Sequence, residues 1–169
     1  MMLKLPVVPF FSFILLISMA GCDNRSCEEV ICGINSSCFQ GRCFCADGYE
    51  GTDCSVMSAQ KYIGNYQVIE DCDNVGPNFP SYFANIIPGQ QPSRLFITGL
   101  FSMGIPAEAI IRTDGNNRGN ILEINTQSVG ALVFSGEGTF DEFNNRLTVN
   151  FSYTFGGVPY NCRHTFYKQ

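Results

Sequence analysis

Apolar and polar residues alternate with a period of two over much of the chain after residue 61. The clearest run lies at residues 147–155, where Leu, Val, Phe, Tyr and Phe are separated by Thr, Asn, Ser and Thr. Successive side chains of a strand point to opposite faces, so this alternation predicts a strand with one buried face. Seven similar runs predict further strands at residues 62–72, 81–87, 94–101, 107–113, 120–126, 132–140 and 160–167.

Turn-forming residues separate most of these runs. Gly, Pro, Asn and Asp cluster at residues 73–77, 88–89, 114–117 and 156–157, and these residue types favour the backbone conformations of tight turns. Eight short strands at regular spacing predict a mainly β domain at residues 62–169, arranged as an antiparallel eight-stranded up-and-down β-barrel. A β-sandwich is the alternative arrangement.

The N-terminal residues have the pattern of an export signal. Lys4 precedes an apolar run at residues 7–20, which is shorter than the roughly 20 apolar residues of a membrane span. The run ends in Ser-Met-Ala-Gly-Cys at residues 18–22, which resembles the lipobox of bacterial lipoproteins. The resemblance implies a signal peptide at residues 1–21, a lipidated Cys22 and a tether at residues 22–26. An ordinary signal peptide is the alternative.

The cysteine count agrees with lipidation. The chain has 9 cysteines, and an odd number in an exported protein leaves one without a partner. If Cys22 carries a lipid, the other eight can pair completely, and export places them where disulfides persist.

Six of the cysteines lie close together, separated by four, five, four, one and eight residues: Cys27, Cys32, Cys38, Cys43, Cys45 and Cys54. With Gly48, Tyr49 and Gly51 they resemble an EGF-like module at residues 27–54. The resemblance implies the disulfides Cys27–Cys38, Cys32–Cys43 and Cys45–Cys54. A zinc site at Cys43 and Cys45 is the alternative interpretation. Zinc-binding cysteine pairs favour two to four intervening residues, whereas one residue separates these two. Residues 39–42 lack a carboxylate, so we expect neither calcium nor another metal.

The two remaining cysteines fall at opposite ends of the strand series. Cys72 ends the first predicted strand and Cys162 lies in the last. First and last strands are neighbours in a closed up-and-down barrel, so we predict a Cys72–Cys162 disulfide. Residues 55–61 are predicted as a linker between the EGF-like module and this domain. The cysteine positions and the Gly-Asn-Tyr opening of the domain also resemble small lipocalin-like domains of bacterial lipoproteins. That resemblance implies a ligand cavity, whereas the aromatic content also fits a barrel filled by its own side chains.

Few residues suggest chemistry. The formal net charge is −5 and the pI about 4.7, so we expect no nucleic-acid partner. The single histidine, His164, shares a strand face with Tyr160, Cys162 and Phe166, and we expect a packed or surface residue. Glu70, Asp71 and Asp73 could hold calcium or act as glycosidase carboxylates, but we expect a solvated strand end. We therefore predict no cofactor and no catalysis.

These features favour a lipid-anchored, non-enzymatic protein at the outer membrane or cell surface of a bacterium. The EGF-like module would act as a spacer or adhesion element. The β domain would bind a partner or be displayed at the surface. The N-terminal lipid would attach the protein to the membrane. A protein or a glycan would be a further partner, and the sequence identifies neither. The alternatives are a lipocalin-like carrier of a small apolar ligand and, less favoured, a carbohydrate-active enzyme.

Overall fold

The structure is a computed structural model and describes residues 27–72, 81–102 and 104–169. The predicted signal peptide at residues 1–21, the tether at residues 22–26 with Cys22, and Asp73 all lie outside the described residues.

Residues 27–57 form a small unit that we call the cysteine module. It contains a 3-10 helix (Cys27–Glu29) and the strands β1 (Ser36–Phe39), β2 (Arg42–Cys45), β3 (Tyr49–Glu50) and β4 (Val56–Met57). Strands β1 and β2 form one antiparallel hairpin, and β3 pairs with β4. The helix α1 (Ala59–Tyr62) follows at once. Residues 56–62 are thus a short strand and a helix, whereas the sequence indicated a plain linker at residues 55–61.

Eight antiparallel strands then close into a barrel, which confirms the predicted fold class. They are β5 (Gly64–Cys72), β6 (Tyr82–Pro88), β7 (Arg94–Leu100), β8 (Ile105–Arg112), β9 (Ile121–Val129), β10 (Leu132–Asp141), β11 (Arg146–Phe155) and β12 (Val158–Lys168). Each strand pairs with the next along the chain, and β12 pairs with β5. Closure leaves no unpaired sheet edge.

Side chains fill the barrel, as the period-two alternation requires. In β11 the residues at 147, 149, 151 and 153 are buried, and in β5 those at 66 and 68. Large fully buried members of this core include Tyr66, Phe134, Phe151, Phe166, Ile86 and Leu95. Interlocked aromatic and aliphatic side chains supply most of the stabilisation that burial gives such a domain.

The two ends of the barrel are covered differently. At one end the ring of Tyr62 in α1 packs on Phe140, with 5.0 Å between centroids, and its hydroxyl donates to the Gly119 carbonyl at 2.9 Å. At the other end the β7–β8 turn places Phe101 inside, where it is 1% exposed. We call these the α1 end and the Phe101 end.

Candidate functional site

A disulfide joins the first and last strands of the barrel. Cys72 and Cys162 are directly opposite each other in the β5–β12 pair, with 4.0 Å between their Cα atoms. The two cysteines lie 90 residues apart in sequence. A disulfide that closes so long a loop strongly restricts the unfolded chain. This is the bond predicted from the two ends of the strand series.

Three further disulfides hold the cysteine module: Cys27–Cys38, Cys32–Cys43 and Cys45–Cys54. This is the pairing that the EGF-like resemblance implies. No disulfide among the described residues joins the cysteine module to the barrel, so the two parts are held together by the chain and by noncovalent contacts.

Four polar side chains meet inside the barrel beside the seam disulfide, and we call them the buried polar cluster: Glu70, Tyr82, Tyr153 and His164. The Tyr82 hydroxyl lies 2.9 Å from His164 Nδ1. Glu70 Oε1 lies 3.6 Å from His164 Nε2, and it accepts a hydrogen bond from the Tyr153 hydroxyl at 3.3 Å. The imidazole is therefore flanked by a phenol and a carboxyl group.

The position of Glu70 corrects the expectation of a solvated strand end. Its side chain is 2% exposed, and it faces His164 across the β5–β12 pair. Asp71, by contrast, is an exposed residue opposite Arg163. Neighbouring residues of a strand face opposite sides of the sheet, so these two carboxylates cannot act as a glycosidase pair.

Phe101 covers the buried polar cluster. Its ring centroid lies 5.3 Å from that of His164 and 5.0 Å from that of Tyr153, both edge to face. Phe101 and Ser102 have φ angles of 53° and 56°, which are unfavourable for residues that carry a Cβ. The packing of the ring inside the barrel holds this turn in a strained conformation.

Two atoms of the buried polar cluster, Glu70 Oε2 and His164 Nε2, have no hydrogen-bond partner among the described residues. Burial raises the pKa of Tyr82 and of Tyr153 above the ordinary value, and the Glu70 carboxylate raises that of Tyr153 further. Both phenols therefore stay protonated at neutral pH. Ligand atoms of Glu70, Cys72 and Cys162 lie within 4.8 Å of one another, but the two sulfurs are bonded to each other and cannot bind a metal as thiolates.

The cysteine module docks on the α1 end of the barrel, and Asn117 of the β8–β9 loop is central to the contact. Its Oδ1 accepts a hydrogen bond from the Cys45 backbone N–H at 3.2 Å, and its Nδ2 donates to the Cys43 carbonyl. Its own carbonyl accepts from the Gly51 N–H at 3.1 Å. Asn117 has a φ of 58°, a left-handed conformation that Asn tolerates better than most residues.

A second set of contacts surrounds Asp47. Its carboxylate accepts from the Thr113 N–H at 3.0 Å and pairs with Arg112 at 2.8 Å. Arg112 also pairs with Glu123 at 2.6 Å. The hydrogen bonds to Asp47 and then to Glu123 raise the pKa of Arg112. This guanidinium therefore links the cysteine module to two neighbouring barrel strands.

A third set is centred on Lys61 of α1. Its ammonium pairs with Glu50 of the cysteine module at 2.5 Å and with Glu142 of the β10–β11 loop at 2.7 Å. Glu50 also accepts from the Gly119 N–H at 3.0 Å. The Lys61 and Glu50 side chains are 13% and 19% exposed, so this pair is better shielded from water than a typical surface ion pair.

Gly48 makes the closest backbone approach of the junction. It has a φ of 90°, and a Cβ placed on it would lie 2.5 Å from backbone atoms of Pro92 and Ser93. Glycine supplies both the conformation and the space. Gly48, Tyr49 and Gly51 belong to the pattern that resembles an EGF-like module, and the structure shows that all three also contact the barrel.

A cleft of about 350 Å³ lies along this junction, lined by residues of both parts: Glu50, Gly51, Thr52, Val56, Asn116, Asn117, Arg118 and Glu142. Acidic, basic and amide side chains line it together. The cleft is wide enough for a polar side chain of a partner, but it carries no arrangement typical of catalysis.

Comparison with models of known protein families, with curated proteins and with solved structures finds no match for this chain. Within the described ranges, no helix is long and apolar enough to cross a membrane. The sequence pointed to His164 and to the cysteines, but nothing in its pattern indicated that Asn117, Arg112 or Lys61 would join the two parts.

Proposed function

We propose that this chain is a lipid-anchored, non-enzymatic surface protein of a bacterium in which an EGF-like module and a filled β-barrel form one rigid unit. The lipid would be attached at Cys22. The EGF-like module would act as a fixed spacer at the membrane, and the barrel would present its far end to a protein or glycan partner.

The junction is the observation that carries this proposal. Asn117, Asp47 and Lys61 connect the two parts through three separate sets of hydrogen bonds and ion pairs. A flexible linker would allow the barrel to rotate freely, whereas these contacts fix its direction relative to the tether. A fixed direction suits a protein that displays a surface away from the membrane.

The buried polar cluster supports a non-enzymatic protein. A nucleophilic mechanism needs an activated nucleophile within reach of a base. Near His164 the two sulfur atoms are joined in a disulfide, and the phenols of Tyr82 and Tyr153 have raised pKa values. The ring of Phe101 also separates the cluster from solvent. The arrangement fits a structural role for His164 and Glu70.

Metabolic labelling with a fatty acid tests the anchor. We expect label on the wild-type protein and none on Cys22→Ala. A wild-type protein without label, or undiminished label on the variant, would contradict the proposal. Digestion of intact cells by an added protease then distinguishes a surface-exposed barrel from one that faces the periplasm.

A carrier of a small ligand is the second candidate, and the unpartnered Glu70 Oε2 and His164 Nε2 favour it. A ligand that displaced Phe101 and offered a hydroxyl group could bond to both atoms. Calorimetric titration of the wild-type protein with phenol tests this reading, with Glu70→Leu as the control. Binding that the control loses would support the carrier, and absence of binding would favour the filled barrel.

A further inference from the structure

The cysteine module exposes an unusual number of large apolar side chains. Ile31 is 96% exposed, Ile34 is 100% exposed and Phe39 is 62% exposed, and Phe44 also contacts solvent. We call these four residues the apolar patch. Single exposed apolar side chains are common on proteins, whereas a group of them on one small unit marks a surface that interacts with another.

The apolar patch consists of two rings on one face of the β1–β2 hairpin and of two isoleucines in the segment that the Cys32–Cys43 disulfide ties to that hairpin. Ile31 precedes Cys32 and Phe44 follows Cys43, and these two cysteines are bonded with 5.5 Å between their Cα atoms. The rings of Phe39 and Phe44 lie 6.4 Å apart. Both rings project from the face of the β1–β2 hairpin that does not carry the cysteines, because the register pairs Ser37 with Phe44.

A second disulfide ties the strand that carries Phe39 to the start of the described chain. Cys27 is bonded to Cys38, with 5.9 Å between Cα atoms, and Cys38 is the neighbour of Phe39. Four residues separate Cys27 from Cys22, so five residue steps join the two cysteines, and they span at most about 18 Å. A lipid on Cys22 would therefore hold the apolar patch within a short distance of the bilayer surface.

We propose that the apolar patch inserts into the interfacial layer of the membrane that holds the lipid anchor. The inference rests on the proposed anchoring at Cys22 and adds a second contact to it. A single lipid anchor leaves a protein free to tilt at the membrane surface. Apolar side chains buried about 5–10 Å into the headgroup region would fix its orientation. The rigid junction would pass that orientation on to the barrel.

Charge does not supply this contact. The chain is acidic, and Glu28 and Glu29 follow Cys27 at the start of the module, so anionic lipid headgroups would repel it weakly. Arg42 is the partner of Phe39 in the hairpin register. The proposal therefore predicts membrane contact that depends on the apolar side chains and little on salt.

The chain contains no tryptophan, so a single introduced indole reports its own surroundings. Phe39→Trp places the reporter in the apolar patch. Phe155→Trp is the matched control, since Phe155 is 48% exposed and lies at the Phe101 end of the barrel, opposite Leu132. The mature protein is coupled through its Cys22 thiol to a maleimide lipid in phosphatidylethanolamine–phosphatidylglycerol vesicles, so the test does not require lipidation in the cell.

We expect brominated phospholipids to quench Phe39→Trp strongly and Phe155→Trp hardly at all. Adding Ile31→Ser and Ile34→Ser to the reporter chain should remove most of the quenching, while these exposed positions leave the fold intact. Equal quenching of the two reporters, or none, would overturn the proposal. A blue shift of Phe39→Trp that is unaffected by brominated lipid would mean that a second copy of the chain covers the patch. Failure of fatty-acid labelling in cells would refute the natural anchor alone.

Discussion

Asn117 offers the sharpest test of the junction between the cysteine module and the barrel. Substituting Asn117→Ala removes two side-chain hydrogen bonds, one from the Cys45 N–H and one to the Cys43 carbonyl. It also places alanine at a φ of 58°, which a residue with a Cβ but no amide tolerates poorly. The Gly51 N–H would then bond to a strained carbonyl.

The expected loss follows from these two effects. Two hydrogen bonds contribute about 1–3 kcal/mol together, and the left-handed conformation costs alanine about 1–2 kcal/mol. We therefore expect Asn117→Ala to destabilise the docked state by about 2–5 kcal/mol. Asn117→Gly adopts the left-handed conformation freely and should lose only the part that belongs to the hydrogen bonds.

Hydrogen–deuterium exchange measures the effect where it occurs. The Cys45 and Gly51 amides, both bonded to Asn117, should exchange faster in Asn117→Ala, with a smaller increase in Asn117→Gly. The disulfides should keep the module folded, so the other amides of the β1–β2 hairpin should change little. Asn116→Ala is the control, because the exposed Asn116 bonds to Asp114 only through its backbone N–H. Unchanged exchange of the Cys45 and Gly51 amides in Asn117→Ala would refute the reasoning.

Three further predictions concern the barrel and its β8–β9 loop. The double variant Cys72→Ala/Cys162→Ala should lose about 4–5 kcal/mol of unfolding free energy in urea, and an unchanged midpoint would show that the seam bond does not stabilise the fold. Phe101→Ala should lose about 3–5 kcal/mol, whereas Phe101→Gly should lose less because glycine relieves the positive φ; equal losses would contradict the strain. Burial alone raises the pKa of Asp114, but the Arg118 and Asn116 N–H bonds outweigh it and lower the pKa. Its stabilisation is thus present above the unfolded value of about 3.9 and lost as the pH falls through the folded value, and Asp114→Asn should flatten this acid dependence of the urea midpoint.

The barrel was predictable because period two is a local signal that each strand carries by itself. In β11 the predicted and observed strands differ by one residue at the N-terminal end. Closure was predicted from eight short strands at regular spacing, and the positions of Cys72 and Cys162 at the two ends of the series supported it. Strand limits elsewhere shifted by a few residues, as in β9, which runs on to Val129 where the prediction stopped at residue 126.

Glu70 shows where two local signals conflict. It shares its parity with Tyr66 and Val68, so the alternation placed it inside the barrel, while its charge and its acidic neighbours favoured solvent. The outcome depended on His164, which lies opposite it in the last strand and supplies a polar partner. A buried carboxyl group is tolerable only with such a partner. The pattern of one strand cannot identify that partner, because the partner lies in another strand.

The junction was not predictable, because its contacts join residues that lie far apart without any repeating pattern. Asn117 and Cys45 are 72 residues apart, and Asp47 and Thr113 are 66 apart. The 114–117 segment was correctly read as a turn, since it is rich in Asp, Gly and Asn. Its second role, as the surface that receives the cysteine module, depends on tertiary geometry alone.

The polar character of the junction fits a division of surfaces on the cysteine module. Disulfides fix the Cys43 carbonyl and the Cys45 N–H before docking, so bonding them to Asn117 costs little conformational entropy. The barrel can therefore hold the module with polar contacts and needs no large apolar interface. This leaves the apolar side chains of Ile31, Ile34 and Phe39 exposed on the module, which begins at Cys27 directly after the tether. In the proposed orientation, the polar contacts would fix the module to the barrel and the apolar contacts would fix it to the membrane, so each kind of surface would meet the environment that suits it.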